Sequence, residues 1–335
     1  MNENFIALHR EDDVRRLALS STPAGIDLHW CLQQIEGWQL ARRKLPQWAA
    51  TEGLWFPVRL SMEQCSSEPT ARYKRTVVEQ MLPEGERTCM ADLTGGLGVD
   101  FSYMASLFHK ADYFEVQPQL VELAHHNMPL LIPHTTQLAF HLLPPDTTPS
   151  LSSQSLIFLD PARRDAAGRK TVGIGDCTPN LLLHLDTIMH HCHRMVVKAS
   201  PMIDLATAEH QLARYLTEIH IVAIGGECKE VLFVCDKQPA NNVATCCIDL
   251  SGPLTATYCD THSFRFSHAD EATAQATYCT TAAHYLYEPH AALMKGGPFK
   301  SLSQRYGIDK LSRNTHLYTA DTLIDQWPGR VFEIV

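Results

Sequence analysis

The chain has 335 residues, with 37 Asp and Glu against 28 Lys and Arg for a formal charge of −9, and 45% of its residues are hydrophobic. That balance excludes a disordered chain, and the negative charge excludes bulk attraction to nucleic acid while leaving a local basic groove open. No apolar run of about 18 residues occurs, so no membrane-spanning segment is expected. The N-terminus carries Glu3, Arg10, Glu11, Asp12 and Asp13 where a signal peptide would have an apolar core. Most cysteines lie in apolar or strand-like runs and no C-x-x-C pair occurs, so a cytoplasmic protein with reduced thiols and no metal site is expected.

In chain order, Val14, Leu17 and Leu19, then Ile26, Leu28, Trp30, Leu32, Ile35, Trp38 and Leu40 set a helical period, and residues 1–60 are expected as a helical segment. Arg42-Arg43-Lys44 closes it. Cations at a helix C-terminus favour its dipole, and a nucleic-acid contact is the alternative. Ser66 to Met81 reads as a further helix with Pro69 in its first turn, Val77, Val78 and Met81 on its apolar side, and Arg72, Lys74 and Arg75 exposed.

From Cys89 onward strands and helices alternate. The strands are a run ending at Asp92, then Ala111 to Val116, a weaker Leu138 to Leu142, Ser155 to Asp160 and Arg194 to Ala199; Asp100 to Phe108, Gln117 to Asn127, Asn180 to His190 and Ile203 to Leu216 are helical. Glu218 to Ile224 and Glu230 to Cys235, joined across Gly225-Gly226, form an antiparallel hairpin at the end of the sheet. His190-His191-Cys192-His193 places neighbours on different faces and reads as a helix end before a strand. Alternation of this kind implies a mostly parallel sheet covered by helices, with a crevice at the strands' carboxyl ends.

After Pro239 the chain changes character. Asn241 to Leu250, Thr255 to Cys259 and Ser263 to Phe266 are short, threonine-rich and strand-like; Ala291 to Met294 and Ser301 to Tyr306 are helical. The expected fold is therefore α/β: a Rossmann-like core over residues 61–240, with a mostly parallel seven-stranded sheet whose last strand is antiparallel, an N-terminal helical segment, and small α+β modules at 241–283 and 284–335.

Three acids, Asp92, Glu115 and Asp160, fall at predicted strand ends, where parallel strands would bring them to one crevice. Gly95-Gly96-Leu97-Gly98 after Asp92 allows a ligand to lie against bare backbone. Glu115, 23 residues beyond Asp92, suits the hydroxyls of an adenosine ribose. Gly96-Leu97-Gly98-Val99-Asp100-Phe101 lacks the third glycine of a dinucleotide loop and puts an acid at the helix start, which disfavours a pyrophosphate and suits a cationic adenosine such as S-adenosylmethionine. The loop from Arg164 to Thr178 is a candidate lid, and Asp146 a candidate contact to adenine.

Asp92-Leu93-Thr94-Gly95-Gly96-Leu97-Gly98-Val99-Asp100, Glu115 and Asp160-Pro161 resemble motifs I, II and IV of the class I S-adenosylmethionine-dependent methyltransferases. Together with Asp160-Pro161-Ala162-Arg163-Arg164, Lys198-Ala199-Ser200-Pro201 and Gly225-Gly226-Glu227-Cys228-Lys229-Glu230, they resemble a bacterial methyltransferase family with a C-terminal THUMP-like domain, over roughly residues 60 to 335. The resemblance implies a ferredoxin-like module at 241–283, a THUMP-like domain at 284–335 and an RNA substrate; a protein or small-molecule substrate, or cofactor binding without catalysis, is the alternative. It assigns Asp92, Thr94, Gly95, Gly96, Gly98, Asp100, Phe101, Glu115 and Val116 to the cofactor and Asp160, Pro161 and Arg163 to catalysis. Ala162 and Arg163 stand where amino-directed enzymes carry a second proline and an aromatic residue, so Arg163 and Arg164 are read as grips for a phosphate or carboxylate, or as ion-pair partners of Asp165 or Glu227. Lys198 and Ser200 line the same pocket or make structural hydrogen bonds.

Overall fold

The computed structural model describes residues 1–335 apart from 22, 145–146, 148, 150, 163–172, 178 and 253–262. Two compact units divide the chain, Met1–Ile157 and Phe158–Val335.

The first unit opens with helices, as the period predicts. Asp27 caps helix Leu28–Lys44 by accepting from the Trp30 amide at 3.0 Å. At its other end Arg42 pairs with Glu11, and the Lys44 ammonium donates to the Met62 and Glu63 carbonyls, so these two cations of the basic run have partners within the unit. Helix Glu68–Met81 starts on Pro69, whose missing N–H is no loss in a first turn. Three parallel strands follow, β1 (Cys89–Asp92), β2 (Lys110–Glu115) and β3 (Gln137–Leu142), with Ala91 opposite Asp112 and Asp112 opposite Ala139. Helices Val99–Ala105 and Pro118–Leu131 connect them. β4 (Gln154–Leu159) is buried at every residue, as a central strand should be, and runs across the boundary between the units.

In the second unit β5 (Cys192–Ala199) is followed by β6 (Leu216–Ile224) and β7 (Glu227–Asp236). The expected hairpin is present: Gly225 and Gly226 have φ of +60° and +81°, the left-handed pair that a tight two-residue turn requires. β7 turns back to lie between β5 and β6, antiparallel to both. The hairpin is not at the sheet's edge, however. β8 (Ala244–Asp249) pairs in parallel with β6, and β9 (Ser263–Ser267) pairs antiparallel with β8, giving the order β5-β7-β6-β8-β9. Residues 244–267, expected in a separate module, thus add two strands to the large sheet beyond the seven anticipated; the expected strand Thr255 to Cys259 lies outside the described residues. The run at His190 to His193 divides as read, with helix Leu181–His190 ending just before β5.

A second, antiparallel sheet closes the chain. It is built from β10 (Tyr285–Pro289), β11 (Asp309–Lys310), β12 (Tyr318–Ala320) and β13 (Gly329–Glu333) in the order β11-β12-β10-β13. Helices Ala291–Gly296 and Phe299–Tyr306 lie between β10 and β11 in the chain.

Candidate functional site

The glycine loop leaves β1 through Asp92, a buried acid whose Oδ1 accepts from the Thr94 amide at 2.9 Å and so starts the turn. Gly96 and Gly98 take φ of +54° and +81°, a region side chains avoid. The three glycines serve different ends. A Cβ on Gly95 would lie 2.1 Å from the ring of buried Tyr113, and one on Gly98 would meet Met128 at 2.8 Å, so both permit close packing of loop on β2 and on the helix behind it. Among the described residues, a Cβ on Gly96 would meet only the Thr94 carbonyl, at 3.7 Å. Of the three glycines, Gly96 is therefore the one with open space beside it among the described residues.

Glu115, at the end of β2, ties this loop to the next helix. Its Oε2 accepts from the Gly96 amide at 2.8 Å, and its Oε1 accepts from the Val116 and Gln117 amides at 2.9 Å each. The Tyr113 hydroxyl donates to the Gly96 carbonyl, so β2 grips both polar groups of that peptide segment. A carboxylate has about four lone-pair sites, and three amides leave capacity for a hydroxyl donor. Val116 beside it is 48% exposed, whereas Phe101 is fully buried, edge-on to Tyr113 at 5.5 Å between ring centroids. Phe101 supports the loop from beneath.

Asp100 differs from its expected part. Its Oδ2 accepts from the Ser66 hydroxyl at 2.7 Å, and the Lys74 ammonium lies 3.2 Å from Oδ1. Lys74, expected on an exposed face, is buried, its side chain wholly inaccessible and the Asp100 side chain only 10% exposed. The acid at the helix start is thus compensated by an internal cation, and the cationic-ligand argument from Asp100 loses its free negative charge. The sequence held one signal for this pair: Lys74 stands in the apolar stripe of Ala71, Val77 and Val78, where an ammonium needs a partner.

In the second unit, Asp160 directly follows β4 and its Oδ2 receives a hydrogen bond from Lys198 at 2.5 Å. Lys198 comes from β5 and is largely buried, while the Asp160 side chain stays 40% exposed. Pro161 is buried, and its ring restricts Asp160 to extended backbone. Ser200 accepts from the Met202 amide at 3.2 Å, a local turn contact. Arg163, Asp146 and, of the candidate lid, residues 164–172 and 178 lie outside the described residues; Ile174–Asp176 within the lid form a short 3-10 turn.

The arrangement can bind a ligand bearing hydroxyl groups at Gly96 and Glu115 in the first unit, and can accept a hydrogen bond from a nucleophile at Asp160 in the second. Residues 285–328 match the model of a ferredoxin-like domain, so that description falls on the stretch for which a THUMP-like domain was expected, not on 241–283. The chain is similar to the crystal structure of a candidate methyltransferase from Porphyromonas gingivalis W83, at 32% identity and a TM-score of 0.84, covering 100% of this chain and 81% of that one. It is also similar, at 10% identity and a TM-score of 0.46, to a candidate class I S-adenosylmethionine-dependent methyltransferase from Listeria monocytogenes, over 68% of this chain and 75% of that one. An rRNA methylase from Streptococcus thermophilus matches at 15% identity and a TM-score of 0.37, over 52% and 98%. No curated protein matches the sequence.

Proposed function

The chain belongs to the same methyltransferase family as the Porphyromonas gingivalis protein, and from that premise we propose that its donor is S-adenosylmethionine and its acceptor a group on RNA. One observation carries the donor: the Glu115 carboxylate, fixed by three backbone amides, faces the Gly96 segment with acceptor capacity to spare. Glu115 would hold the ribose hydroxyls, Gly96 would offer bare backbone, and Val116 would give apolar contact to the base. Asp92, Thr94, Gly95 and Gly98 would set the loop's shape, with Asp100 and Phe101 bracing it.

When bound, S-adenosylmethionine supplies a methyl group already activated by its sulfonium, so the protein has only to position a nucleophile. Asp160 is assigned that role. Its carboxylate, steadied by Lys198, would accept a hydrogen bond from the acceptor's amino or hydroxyl group and so orient that group's lone pair. Arg163 is assigned to a phosphate of the acceptor, which a guanidinium suits by bidentate bonding. The RNA acceptor rests on the sequence resemblance.

Calorimetric titration with S-adenosylmethionine and with NAD tests the donor. Wild type should bind the first and ignore the second, and Gly96→Arg and Glu115→Ala should each lose binding; retention in both variants would refute the cofactor site. Incubation with unmodified cellular RNA tests the acceptor: wild type should transfer methyl groups, and Asp160→Ala should bind the donor yet transfer none. Transfer to a protein or small-molecule fraction alone would overturn RNA and leave methyl transfer standing.

A further inference from the structure

A second polar cluster lies on β6, β8 and β9. His220 is directly opposite Cys246 in the parallel β6–β8 ladder, and Cys246 is directly opposite Arg265 in the β8–β9 ladder. Glu218, two residues before His220, shares its face of the sheet. The side chains are linked across the strands: Arg265 donates to Glu218 Oε1 at 2.7 Å and Glu218 Oε2 lies 3.2 Å from His220 Nε2, with Cys246 the residue facing His220 across the ladder. His220 is only 3% exposed.

Seven other described cysteines sit in different surroundings. Cys65, Cys177, Cys228 and Cys279 are more exposed, yet each donates its S–H to a backbone carbonyl, which holds the proton on sulfur. Cys192, Cys235 and Cys247 are buried, and burial pushes each thiol upward. For His220, burial disfavours the cation, but the neighbouring Cys246 and Glu218 outweigh it and raise the imidazole to about 9. Glu218 is lowered to about 2, first by its hydrogen bond with His220 and further by Arg265.

We propose that Cys246 is a peroxide-reactive thiol, with His220 as the base that holds its proton and Glu218, anchored by Arg265, as the group that orients His220. The thiolate attacks one oxygen of a hydroperoxide. An S–O bond forms as the O–O bond breaks, sulfur gives up two electrons to the peroxide, and the leaving hydroxide takes the proton from the imidazolium as water. The product is a sulfenic acid. Cys246 is 8% exposed.

The test treats the full-length protein at neutral pH with substoichiometric hydrogen peroxide for timed intervals, destroys the remainder with catalase, unfolds the protein in dimedone so that every sulfenic acid is reachable, then maps the adducts by peptide mass spectrometry. An ordinary thiol is only a few per cent ionised at neutral pH, and the gain from full ionisation is partly offset by weaker nucleophilicity, so Cys246 should label about tenfold faster than Cys65 or Cys279. His220→Gln should abolish that advantage, and Glu218→Gln, which leaves thiol and imidazole in place, should cut it about threefold. Independently of reagent access, Cys246→Ser should remove one thiolate's ultraviolet absorbance from the native protein. Labelling of Cys246 no faster than Cys65, an unchanged rate in both the His220 and Glu218 variants, or an unchanged absorbance in Cys246→Ser would each overturn the proposal.

Discussion

Replacing Lys74 with methionine isolates the ion pair beneath the glycine loop. Methionine keeps the length and most of the volume of the lysine stem, so the charge is lost with little cavity. Asp100 then remains buried without its cation. Removing one partner of a buried pair costs about 3–5 kcal/mol. Here the Ser66 hydroxyl still donates to Asp100, and the acid sits in the first turn of helix Val99–Ala105, where the dipole favours it, so the lower end, about 3 kcal/mol, is expected. For a unit of this size each kcal/mol shifts the midpoint by about 2–4 °C, which predicts a loss of about 6–12 °C in the first unit's calorimetric transition. The double variant Lys74→Met with Asp100→Asn carries neither charge of the pair and should recover most of that loss, with a favourable coupling of at least about 1 kcal/mol in the cycle. A single-variant shift below about 2 °C, or a double variant weaker than both singles, would show that the pair is not what stabilises this contact.

Three further outcomes follow from individual contacts. Tyr113→Phe removes the donor to the Gly96 carbonyl and should cost about 0.5–1.5 kcal/mol, seen in denaturant unfolding, while weakening S-adenosylmethionine binding severalfold by calorimetry. Gly226→Ala places a side chain at φ +81° and should destabilise the second unit by about 1 kcal/mol although none of the described residues lies within 4 Å of the new methyl. Glu218 is depressed to about 2, so its contribution is fully present above its unfolded value of 4.5 and lost as pH falls through the folded one. Wild type should accordingly lose more stability than Glu218→Gln between pH 4.5 and 2, by thermal melts across that range.

What could be read from sequence was what depends on neighbours along the chain. A short β-prone run ending in an acid marked β1, β2 and β4; Pro69 marked the start of its helix; Gly225-Gly226 marked the hairpin. Pairings distant in sequence were not legible. Lys74 and Asp100 show as two charges, and nothing local says that one neutralises the other, so Asp100 was read as facing a ligand. Asn241 to Leu250 showed strand composition, but composition does not name a strand's partner, and β8 joined β6 in place of a separate module. His220 and Cys246 sit in strand-like runs whose period of two fixes their faces; only the register sets them opposite one another.

The position of β7 bears on how the protein is made. β5 and β6 both leave the ribosome before the strand that must fill the space between them. Asp236, the last residue of β7, follows Ala199, the last of β5, by 37 residues. At about 5–20 residues per second, the pairing edge of β5 waits about 2–7 s for its partner. β6 waits far less, because its partner arrives through a two-glycine turn. Valines 196 and 197, buried in the finished protein, lie on the edge that stays open longer, which is where a chaperone acting on the nascent chain would find its binding strand.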